Sequence, residues 1–574
     1  MRCLFLGIIG TSFLYNIYTS FFPISLGLAH DEAEHLHVAY LLSQGERPYV
    51  DFIENHPMLF NHFLCWLYEA VHINSIREWA FWARSMIFLH FALCIVVFSL
   101  WTSRLITRRP KKWMWIGMLI TAWAMTGLYH CYFSPIWQIR PDFICYAYTL
   151  GGCYLVFLWF QTALNQQHRT SAYLLIAGGC LIGIGNAVLP KGITVIMALA
   201  LAFLTPQLMR SRPFSSWWIN TTNLKGLSIA CFSAFLSFTV AMLLDCHYSQ
   251  IDITKWISAV FLLNSRKHIV FTQIENNPMT SLANIFSVPF GLSLAICIWI
   301  ILETFLMNST KTIKFGEGER YLWLFSFFTI AINLLTGTYT NGVTWSYYFI
   351  PSFFAIAAIY LVLLLRIYRL WNDQIDKKAS RLTSISVSTL IALVLFQILP
   401  QPLESVFRYQ VRQVDLKEVK MMASQDFMID EALPSSFTYI SHYINNIPVK
   451  AHHWGYHFML TDNQGFWRDC YQLGLGPDPQ KVWGHGFGKN PPDALAFSDP
   501  TDVVQFISML WYCHNINVSW LIDEIKKHYI PVRYKWLFLY ARRDKVQYLK
   551  QRGWRVDLSK KSVPFDGIFE PYAR

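Results

Sequence analysis

"HDEAEHLHVAYLLSQGERPYVDFIENHPML", residues 30–59, follows an apolar N-terminal segment with almost no break. It holds six carboxylates and four histidines: Asp31, Glu32, Glu34, Glu46, Asp51, Glu54, His30, His35, His37 and His56. The apolar run before it is long enough to cross a bilayer and lacks a small-residue cleavage signature, so we expect a retained signal anchor. Titratable groups are therefore gathered directly after the first expected membrane span.

The whole chain is apolar and poor in charge. Of its 574 residues, 54% are hydrophobic, 17% are aromatic and 14% are charged, whereas an ordinary globular protein has about 25% charged residues. Apolar runs recur to about residue 400, which predicts an α-helical polytopic membrane protein with about eleven transmembrane helices. The expected spans are 4–28, 79–103, 113–131, 142–162, 171–189, 192–208, 225–245, 281–306, 320–337, 344–365 and 382–399.

Basic residues are distributed unevenly between these spans. Clusters at 104–112, 210–212, 311–320 and 366–381 alternate with gaps that hold few basic residues. By the positive-inside rule the N-terminus is cytoplasmic and the first loop lies outside. The net charge of +12 therefore reflects topology and gives no ground for nucleic-acid binding.

The predicted domain organisation follows from the same pattern. With an odd number of spans, the region 400–574 also lies outside, and it mixes helix and strand patterns. We therefore expect a transmembrane module at 1–399, followed by an extracytoplasmic C-terminal α/β domain at 400–574.

The first outside loop is predicted to hold two interfacial helices. "DEAEHLHVAYLLSQG" spaces apolar residues at helical intervals, which predicts a short amphipathic helix on the outer leaflet that ends near Gly45. "ERPYVDF" is expected to be extended or turning because Arg47 precedes a proline, and "HPMLFNHFLCWLYEAV" predicts the second helix. Asp31 and Glu32 begin the first helix, where carboxylates are favoured as caps in any case.

Two later gaps each place a cation on the outer side. "SPIWQIRPDF" puts Arg140 and Asp142 on either side of a proline, and in "NAVLPKGI" Lys191 is the only charge between two spans. Each cation could anchor the chain at the interface or extend to lipid headgroups. Each could equally point into a cavity and meet an anion.

Taken together, these motifs resemble the GT-C glycosyltransferases, and most closely the branch that contains the aminoarabinose transferase of lipid A and the protein O-mannosyltransferases. The resemblance covers roughly residues 1–370 and is carried by the Asp31–Glu32 pair, "GERPYVDFIENHPML", "IRPD" and "LPKG". It implies a hexosyl- or pentosyltransferase that moves a sugar from a polyprenyl-phosphate donor to an extracytoplasmic acceptor, with inversion. The implied acceptor is lipid A, a polysaccharide or another glycan, and the implied location is the bacterial inner membrane.

The resemblance also implies roles for individual residues. Asp31 and Glu32 are the expected catalytic carboxylates, because an acceptor hydroxyl must lose its proton to a base. Arg140 and Lys191 are expected to bind the donor phosphate and stabilise its developing charge. The residues expected to orient the substrate or the loop are Tyr49, Asp51, Glu54, His56 and Asp142.

Three alternatives stay open. The acceptor could be a protein hydroxyl, and the chain could instead be a lipid or solute transporter, although such proteins usually carry ionisable groups near the bilayer midplane. No cofactor is required, but a divalent metal is an open alternative. Asp31 and His35 share a helix face and could supply two of the three or four ligands that a metal site needs.

Overall fold

The structure is a computed structural model of the chain. It describes residues 30–52, 54, 56–70, 76–106, 114–118, 120–121, 138–164, 171–209, 221–263, 317–335, 350–372, 432–433, 473–476, 494–495, 518–534, 537–551 and 553–557. The expected spans 4–28, 281–306 and 382–399 lie outside the described residues, as does most of 113–131.

The described part of the chain is mostly helical, with a small sheet near the C-terminus. The helices are α1 (His30–Ser43), α2 (Leu59–Ala70), α3 (Ile76–Ile106), α4 (Asp142–Leu164), α5 (Ser171–Val188), α6 (Ile193–Met209), α7 (Thr221–Tyr248), α8 (Ile253–Ile257), α9 (Glu317–Leu335), α10 (Ile350–Asn372), α11 (Val518–His528) and α12 (Val546–Gln551). A 3₁₀ turn at Pro190–Gly192 joins α5 to α6, and a π-helical turn at Ser258–Leu263 continues α8.

Several of these helices have the length and composition of membrane spans. Among the described residues, three windows are long and apolar enough to cross a bilayer: Glu78–Leu105, Asp142–Trp159 and Lys225–Tyr248. The spans predicted at 142–162, 171–189 and 192–208 agree with α4, α5 and α6 to within about two residues. The prediction of a mostly helical protein with several candidate membrane-spanning helices is confirmed, and the count of eleven spans stays a prediction.

Local sequence explains where the key helices begin and end. Pro141 precedes α4, and its carbonyl accepts the first helical hydrogen bond, from Cys145 N at 3.0 Å. Helix α1 ends at Ser43 and is followed by Gly45, whose φ of 80° lies in the left-handed region that glycine adopts without strain. Helix α7 is followed by Gln250, whose φ of 53° lies in the same left-handed region, and α8 begins at Ile253.

The described helices fall into two compact units. One, here called the helical unit, comprises the described residues within 85–241 and 275–412. The other, here called the first-loop unit, comprises those within 25–84, 242–274 and 413–574.

Glycines allow close helix packing in the helical unit. A Cβ atom on Gly178 of α5 would lie 2.8 Å from the carbonyl oxygen of Gly152 in α4, which is closer than such atoms approach one another. Gly179 and Gly183 bring α5 equally close to α7. Close approach through small residues is the usual way in which membrane helices associate.

Helix α1 of the first-loop unit differs from its prediction. The helix predicted here is present, but its described side chains are buried around most of its surface, from Glu32 at 1% exposure to Leu41 at 2%. The prediction that it is amphipathic with a solvated face was therefore wrong, and its position at the outer leaflet stays a prediction. The physical reason is that its polar side chains find partners inside the protein, as the ion pair of Glu32 illustrates below. The second predicted helix is confirmed as α2, which packs against α1.

The described strands near the C-terminus form one five-stranded sheet. The strands are β1 (Ala432–Leu433), β2 (Ala494–Leu495), β3 (Tyr529–Tyr534), β4 (Leu537–Arg542) and β5 (Arg555–Val556), in the order β1-β2-β4-β3-β5. β1 and β2 are parallel, and β3 pairs antiparallel with both β4 and β5. The mixture of helix and strand agrees with the predicted α/β pattern, whereas a separate domain at 400–574 stays a prediction.

Candidate functional site

A buried ion pair fixes the first turn of α1 in the first-loop unit. Both carboxylate oxygens of Glu32 accept hydrogen bonds from Arg84 in α3, at 2.8 Å from Nε and 2.6 Å from Nη2. The two side chains are 1% and 3% exposed. This bidentate pair holds Glu32 in a fixed orientation and so fixes the first turn of α1, which also carries Asp31.

Asp31 lies in the first turn of α1. Its side chain belongs to the part of the structure that is not described, so the predicted role of Asp31 as the catalytic base stays a prediction. The predicted catalytic role of Glu32 also stays a prediction, now with Arg84 as its partner.

The loop between α1 and α2 is held in an unusual backbone conformation. Tyr49 has φ of 62° and is completely buried, and this conformation is uncommon for a residue with a side chain. Its hydroxyl donates a hydrogen bond to the carbonyl of His56 at 2.6 Å, while its own carbonyl accepts one from Gly476 N at 2.8 Å. Burial raises the pKa of Tyr49 well above its usual range, so the hydroxyl stays protonated and can donate.

Glu54 and His56 form a close pair in the same loop. Glu54 Oε1 lies 2.7 Å from Nδ1 of His56 and also accepts the backbone N–H of His56 at 3.1 Å. The ring of His35 lies beside this pair, with its centroid 5.8 Å from that of His56, and Nδ1 of His35 is 3.3 Å from Asn61 Oδ1. The structure thus brings together three of the predicted orienting residues, Tyr49, Glu54 and His56.

Asp51 is the exposed member of the predicted orienting residues. Its carboxylate accepts hydrogen bonds from Arg47 Nε at 3.0 Å and from the backbone N–H of Arg47 at 2.9 Å. Partial burial raises the pKa of Asp51, but these hydrogen bonds and the charge of Arg47 lower it further, so that the net shift is downward. Asp51 therefore stabilises the turn at 47–51.

Asp245 is a site residue that the sequence reasoning missed. Its Oδ2 accepts hydrogen bonds from Met58 N at 2.9 Å and from Trp256 Nε1 at 2.7 Å, which ties the start of α2 to the end of α7. His62 strengthens the connection, since its Nε2 lies 2.8 Å from Ser249 Oγ. The sequence did contain a signal for this residue: Asp245 is the only acidic residue in the long apolar run of α7, and an acid in such a run needs a specific partner.

The helical unit contains a second cluster, built around Asp142 at the start of α4. Asp142 Oδ2 accepts a hydrogen bond from Arg140 Nε at 3.1 Å, and its Oδ1 accepts one from Lys191 Nζ at 3.0 Å. The side chains of Arg140, Asp142 and Lys191 are 10%, 3% and 18% exposed. Two cations thus share one carboxylate beside the positive end of a helix dipole.

The turn that carries Lys191 is packed tightly against α4. The thiol of Cys145 donates to the carbonyl of Leu189 at 3.0 Å, and a Cβ atom on Gly192 would lie 2.5 Å from Thr149 Oγ1. Glycine is therefore required for the turn to approach the helix this closely. The "LPKG" motif is thus explained as a turn that holds a lysine against the first turn of α4.

Most of the predicted site residues fall into two groups, the loop between α1 and α2 and the cluster around Asp142. Tyr49, Asp51, Glu54 and His56 lie in the first-loop unit, and Arg140, Asp142 and Lys191 are in contact with one another in the helical unit. Within the described residues, no group of three histidine, cysteine, aspartate or glutamate side chains could hold a metal ion. The predicted metal use, with Asp31 and His35 as ligands, stays a prediction.

Comparison with known proteins gives structural neighbours only. No protein-family model and no curated protein sequence matches this chain. The fold is similar to that of the archaeal oligosaccharyltransferase AglB from Archaeoglobus fulgidus in complex with an inhibitory peptide and a dolichol-phosphate, with a TM-score of 0.42 and 11% sequence identity.

Two further structures of the Archaeoglobus fulgidus oligosaccharyltransferase are also similar. The apo form has a TM-score of 0.46 at 10% identity, and the form tethered to an acceptor peptide through a disulfide bond has a TM-score of 0.45 at 11% identity. In all three cases the match covers 94% of this chain and 74% of the other.

Proposed function

We propose that this chain is a membrane glycosyltransferase of the GT-C type, which moves a sugar from a polyprenyl-phosphate donor to an extracytoplasmic acceptor. The observation that carries the proposal is the Arg140–Asp142–Lys191 cluster, in which two cations share one buried carboxylate at the end of a membrane helix. A phosphate on a lipid carrier is held at the membrane surface by its tail. A cation cluster at a helix end is therefore placed where such a phosphate can reach it.

The charge of the cluster suits a phosphate that becomes a leaving group. Transfer of the sugar leaves additional negative charge on the phosphate oxygens, and cations fixed in a dry environment stabilise that charge most strongly. Arg140 can offer parallel N–H donors to two oxygens, whereas Lys191 acts as a point charge. Asp142 keeps both cations in place before the donor arrives, so little reorganisation is needed when it binds.

The proposed reaction also needs an acid-base group. A sugar or other hydroxyl is a poor nucleophile, so a base within hydrogen-bond reach must take its proton. The resemblance names Asp31, with Glu32 held by Arg84 next to it. Attack on the side opposite to the departing phosphate would invert the anomeric carbon.

The acceptor and the location complete the proposed function. The acceptor is lipid A, a polysaccharide or another glycan, with a protein hydroxyl as the alternative. We place the chain in a bacterial inner membrane, with a cytoplasmic N-terminus and with the first loop and the region 400–574 on the periplasmic side.

The test is donor cleavage by the purified protein. The full-length protein in lipid nanodiscs is incubated with polyprenyl-phosphate donors that carry different labelled sugars, together with an extract of envelope glycolipids as acceptor. Release of free polyprenyl phosphate, coupled to transfer of label to the acceptor, supports the proposal. Translocation of intact donor across proteoliposomes without cleavage would support a transporter, and no cleavage with any donor would refute the glycosyltransferase function.

A further inference from the structure

Lysine and arginine residues are concentrated in one segment near the C-terminus. From Lys526 to Arg555 the sequence contains ten lysine and arginine residues and one carboxylate, Asp544, so this segment carries a net charge of +9, whereas the whole chain carries +12. The positive-inside rule concerns short loops beside membrane spans, and this segment is far from the last expected span, 382–399. Its charge therefore needs another explanation.

The segment is folded, and its charges lie at the surface. It runs from the end of α11 through β3, β4 and α12 to β5. The structure describes eight of the ten basic residues, of which three are partly buried and five are exposed: Lys527, Arg533, Arg543, Lys550 and Arg555. Within 518–557, none of the large apolar side chains that the structure describes is exposed. Basic groups therefore dominate this surface.

Two of the arginines face each other across neighbouring strands. Arg533 of β3 and Arg555 of β5 are directly opposite in the antiparallel register, so both side chains lie on the same face of the sheet. Like charges directly opposite each other destabilise a sheet. A single basic residue already protects an edge strand such as β5 from pairing with another chain. The opposed pair therefore indicates a ligand that carries negative charge.

A second basic group lies near the other end of β3. Lys526 and Lys527 are in the last turn of α11, just before β3 begins. The guanidinium of Arg543 donates hydrogen bonds to the carbonyls of Lys527 and Lys526, at 2.9 Å from Nε and 3.3 Å from Nη2. Arg543 therefore fixes the end of α11 beside the end of β4. The Lys527 side chain is 68% exposed, and its Nζ is 3.4 Å from the carboxylate of Glu524.

The spacing of the two basic groups indicates the shape of the anion. Arg533 lies four residues after Tyr529, the first residue of β3, and a strand rises by about 3.3 Å per residue. The two groups are therefore separated by about 13 Å or more along the strand. One phosphate or carboxylate is too small to contact both groups. A chain that carries several anionic groups can contact both at once.

We propose that Lys526, Lys527, Arg533, Arg543 and Arg555, here called the basic surface, bind an anionic glycan, and that this glycan is the acceptor of the transferred sugar. The inference rests on the proposed glycosyltransferase function and narrows its acceptor to a charged class. A bound polymer keeps its other units at a high local concentration around the same protein. Capture of the acceptor therefore requires no contact between the basic surface and the reacting groups.

A glycan fits the basic surface better than a bilayer does. Surfaces that bind membranes usually combine basic residues with exposed tryptophan, phenylalanine or leucine. The described part of 518–557 exposes no such side chain. Arginine also matches the anionic groups of glycans, because its planar guanidinium can donate two parallel hydrogen bonds to one carboxylate or phosphate.

Binding of a defined oligosaccharide tests the basic surface. The full-length protein in phosphatidylcholine nanodiscs is titrated with labelled octagalacturonate, which has one carboxylate on each sugar, and with labelled maltooctaose, which has none. The wild type should bind the charged octamer, and binding should weaken as the salt concentration rises. It should not bind the neutral octamer at the same concentrations.

The double variant Arg533→Gln/Arg555→Gln distinguishes binding from a structural role. Loss of one exposed ion pair weakens binding by up to about fivefold, so this variant should weaken binding of octagalacturonate by about 5- to 25-fold. Its thermal unfolding midpoint should stay the same or rise, because the two opposed charges are gone. Unchanged binding, with or without a loss of stability, would overturn the proposal.

The control removes the same charge from other places. Lys225→Gln/Lys255→Gln takes two positive charges from α7 and α8, where Lys225 is exposed and Lys255 is partly buried. This variant should bind octagalacturonate as the wild type does. Equal weakening in both double variants would mean that net charge alone attracts the octamer, and would overturn the basic surface as a site.

Two further measurements separate the glycan from a membrane and the acceptor role from the proposed function. Binding of the protein to phosphatidylglycerol vesicles but not to octagalacturonate would overturn the glycan as the ligand. In transfer from a polyprenyl-phosphate donor, label should enter the anionic fraction of the envelope glycolipid extract, and Arg533→Gln/Arg555→Gln should raise KM for that fraction with kcat unchanged. Label in the neutral fraction alone would overturn the acceptor class. A wild type that binds octagalacturonate through the basic surface but cleaves no donor would overturn the glycosyltransferase function while supporting glycan binding.

Discussion

Replacing Asp142 by asparagine tests whether the Arg140–Asp142–Lys191 cluster binds an anion or only stabilises the fold. In the wild type, Asp142 accepts hydrogen bonds from Arg140 and Lys191 at 3.1 and 3.0 Å, and the three side chains are largely buried. The substituted side chain would keep one oxygen acceptor but no charge, so the negative charge that Arg140 and Lys191 share at this position is removed. Removing one partner of a buried ion pair costs about 3–5 kcal/mol, and we expect a loss of stability in this range.

The same substitution should also strengthen the binding of phosphate, which acts against the loss of stability. At an effective dielectric constant of about 20, one unit charge at about 4 Å changes the interaction with a monoanion by about 4 kcal/mol. The Asp142→Asn variant should therefore bind phosphate more tightly than the wild type. A ligand at about 100 times its Kd stabilises the folded state by about 2.7 kcal/mol, so added polyprenyl phosphate should recover a large part of the lost stability.

The assay is unfolding of the purified protein in detergent, followed by tryptophan fluorescence across a titration of polyprenyl phosphate. The matched control is Asp544→Asn, because Arg542 and Asp544 repeat the Arg-x-Asp spacing, with Nε 2.7 Å from the carboxylate, at an exposed turn. An exposed pair of this kind contributes less than about 1 kcal/mol. If polyprenyl phosphate stabilises Asp142→Asn no more than it stabilises the wild type, the cluster does not bind phosphate and the reasoning is refuted.

Three further substitutions probe the surroundings of the two clusters. Glu32→Gln should lower the free energy of unfolding by about 3–5 kcal/mol, because it removes the charge of the buried carboxylate that binds Arg84 through two hydrogen bonds. If the two side chains are coupled, the double variant Glu32→Gln/Arg84→Met should lose less stability than the sum of the two single variants; additive losses would contradict the coupling. Burial lowers the pKa of His62 from 6.5 to about 4, so the unfolded chain binds a proton there first as pH falls. The contribution of His62 to the free energy of unfolding should therefore be complete above about pH 6.5 and lower by about 2 kcal/mol at about pH 5. Unfolding measured at both pH values should show this loss in the wild type and not in His62→Gln. Gly178→Val should prevent α5 from packing on α4, since a Cβ would meet the Gly152 carbonyl at 2.8 Å; a variant that purifies as a folded monodisperse protein with normal stability would contradict the described contact.

Helix boundaries could be predicted from the sequence because they depend on local features. Pro141 and Asp142 mark the start of α4, and Gly45 marks the end of α1, each through its own backbone chemistry. Apolar length places α5 and α6 in the same way. These signals lie within a few residues of the feature that they predict.

The partners of the charged residues could not be predicted because they come from distant parts of the chain. Glu32 meets Arg84 across 52 residues, and Met58 meets Asp245 across 187. Without these partners, the pattern of α1 predicts a solvated face where the structure has a buried helix. The two cations of the second cluster were anticipated, but their shared anion was not, since Asp142 had been expected only to orient the substrate.

Donor kinetics test most directly whether Arg140 and Lys191 hold the phosphate of a lipid-borne donor. The measurement is kcat/KM for a polyprenyl-phosphate sugar in nanodiscs, for the wild type and for Lys191→Ala, with Lys225→Ala as a control at an exposed lysine of the same unit. Losing one partner of a desolvated charge pair costs about 2–5 kcal/mol, so kcat/KM of Lys191→Ala should fall by about 30- to 5,000-fold while that of Lys225→Ala stays within about threefold. Equal kcat/KM values for Lys191→Ala and the wild type would contradict phosphate binding by this cluster.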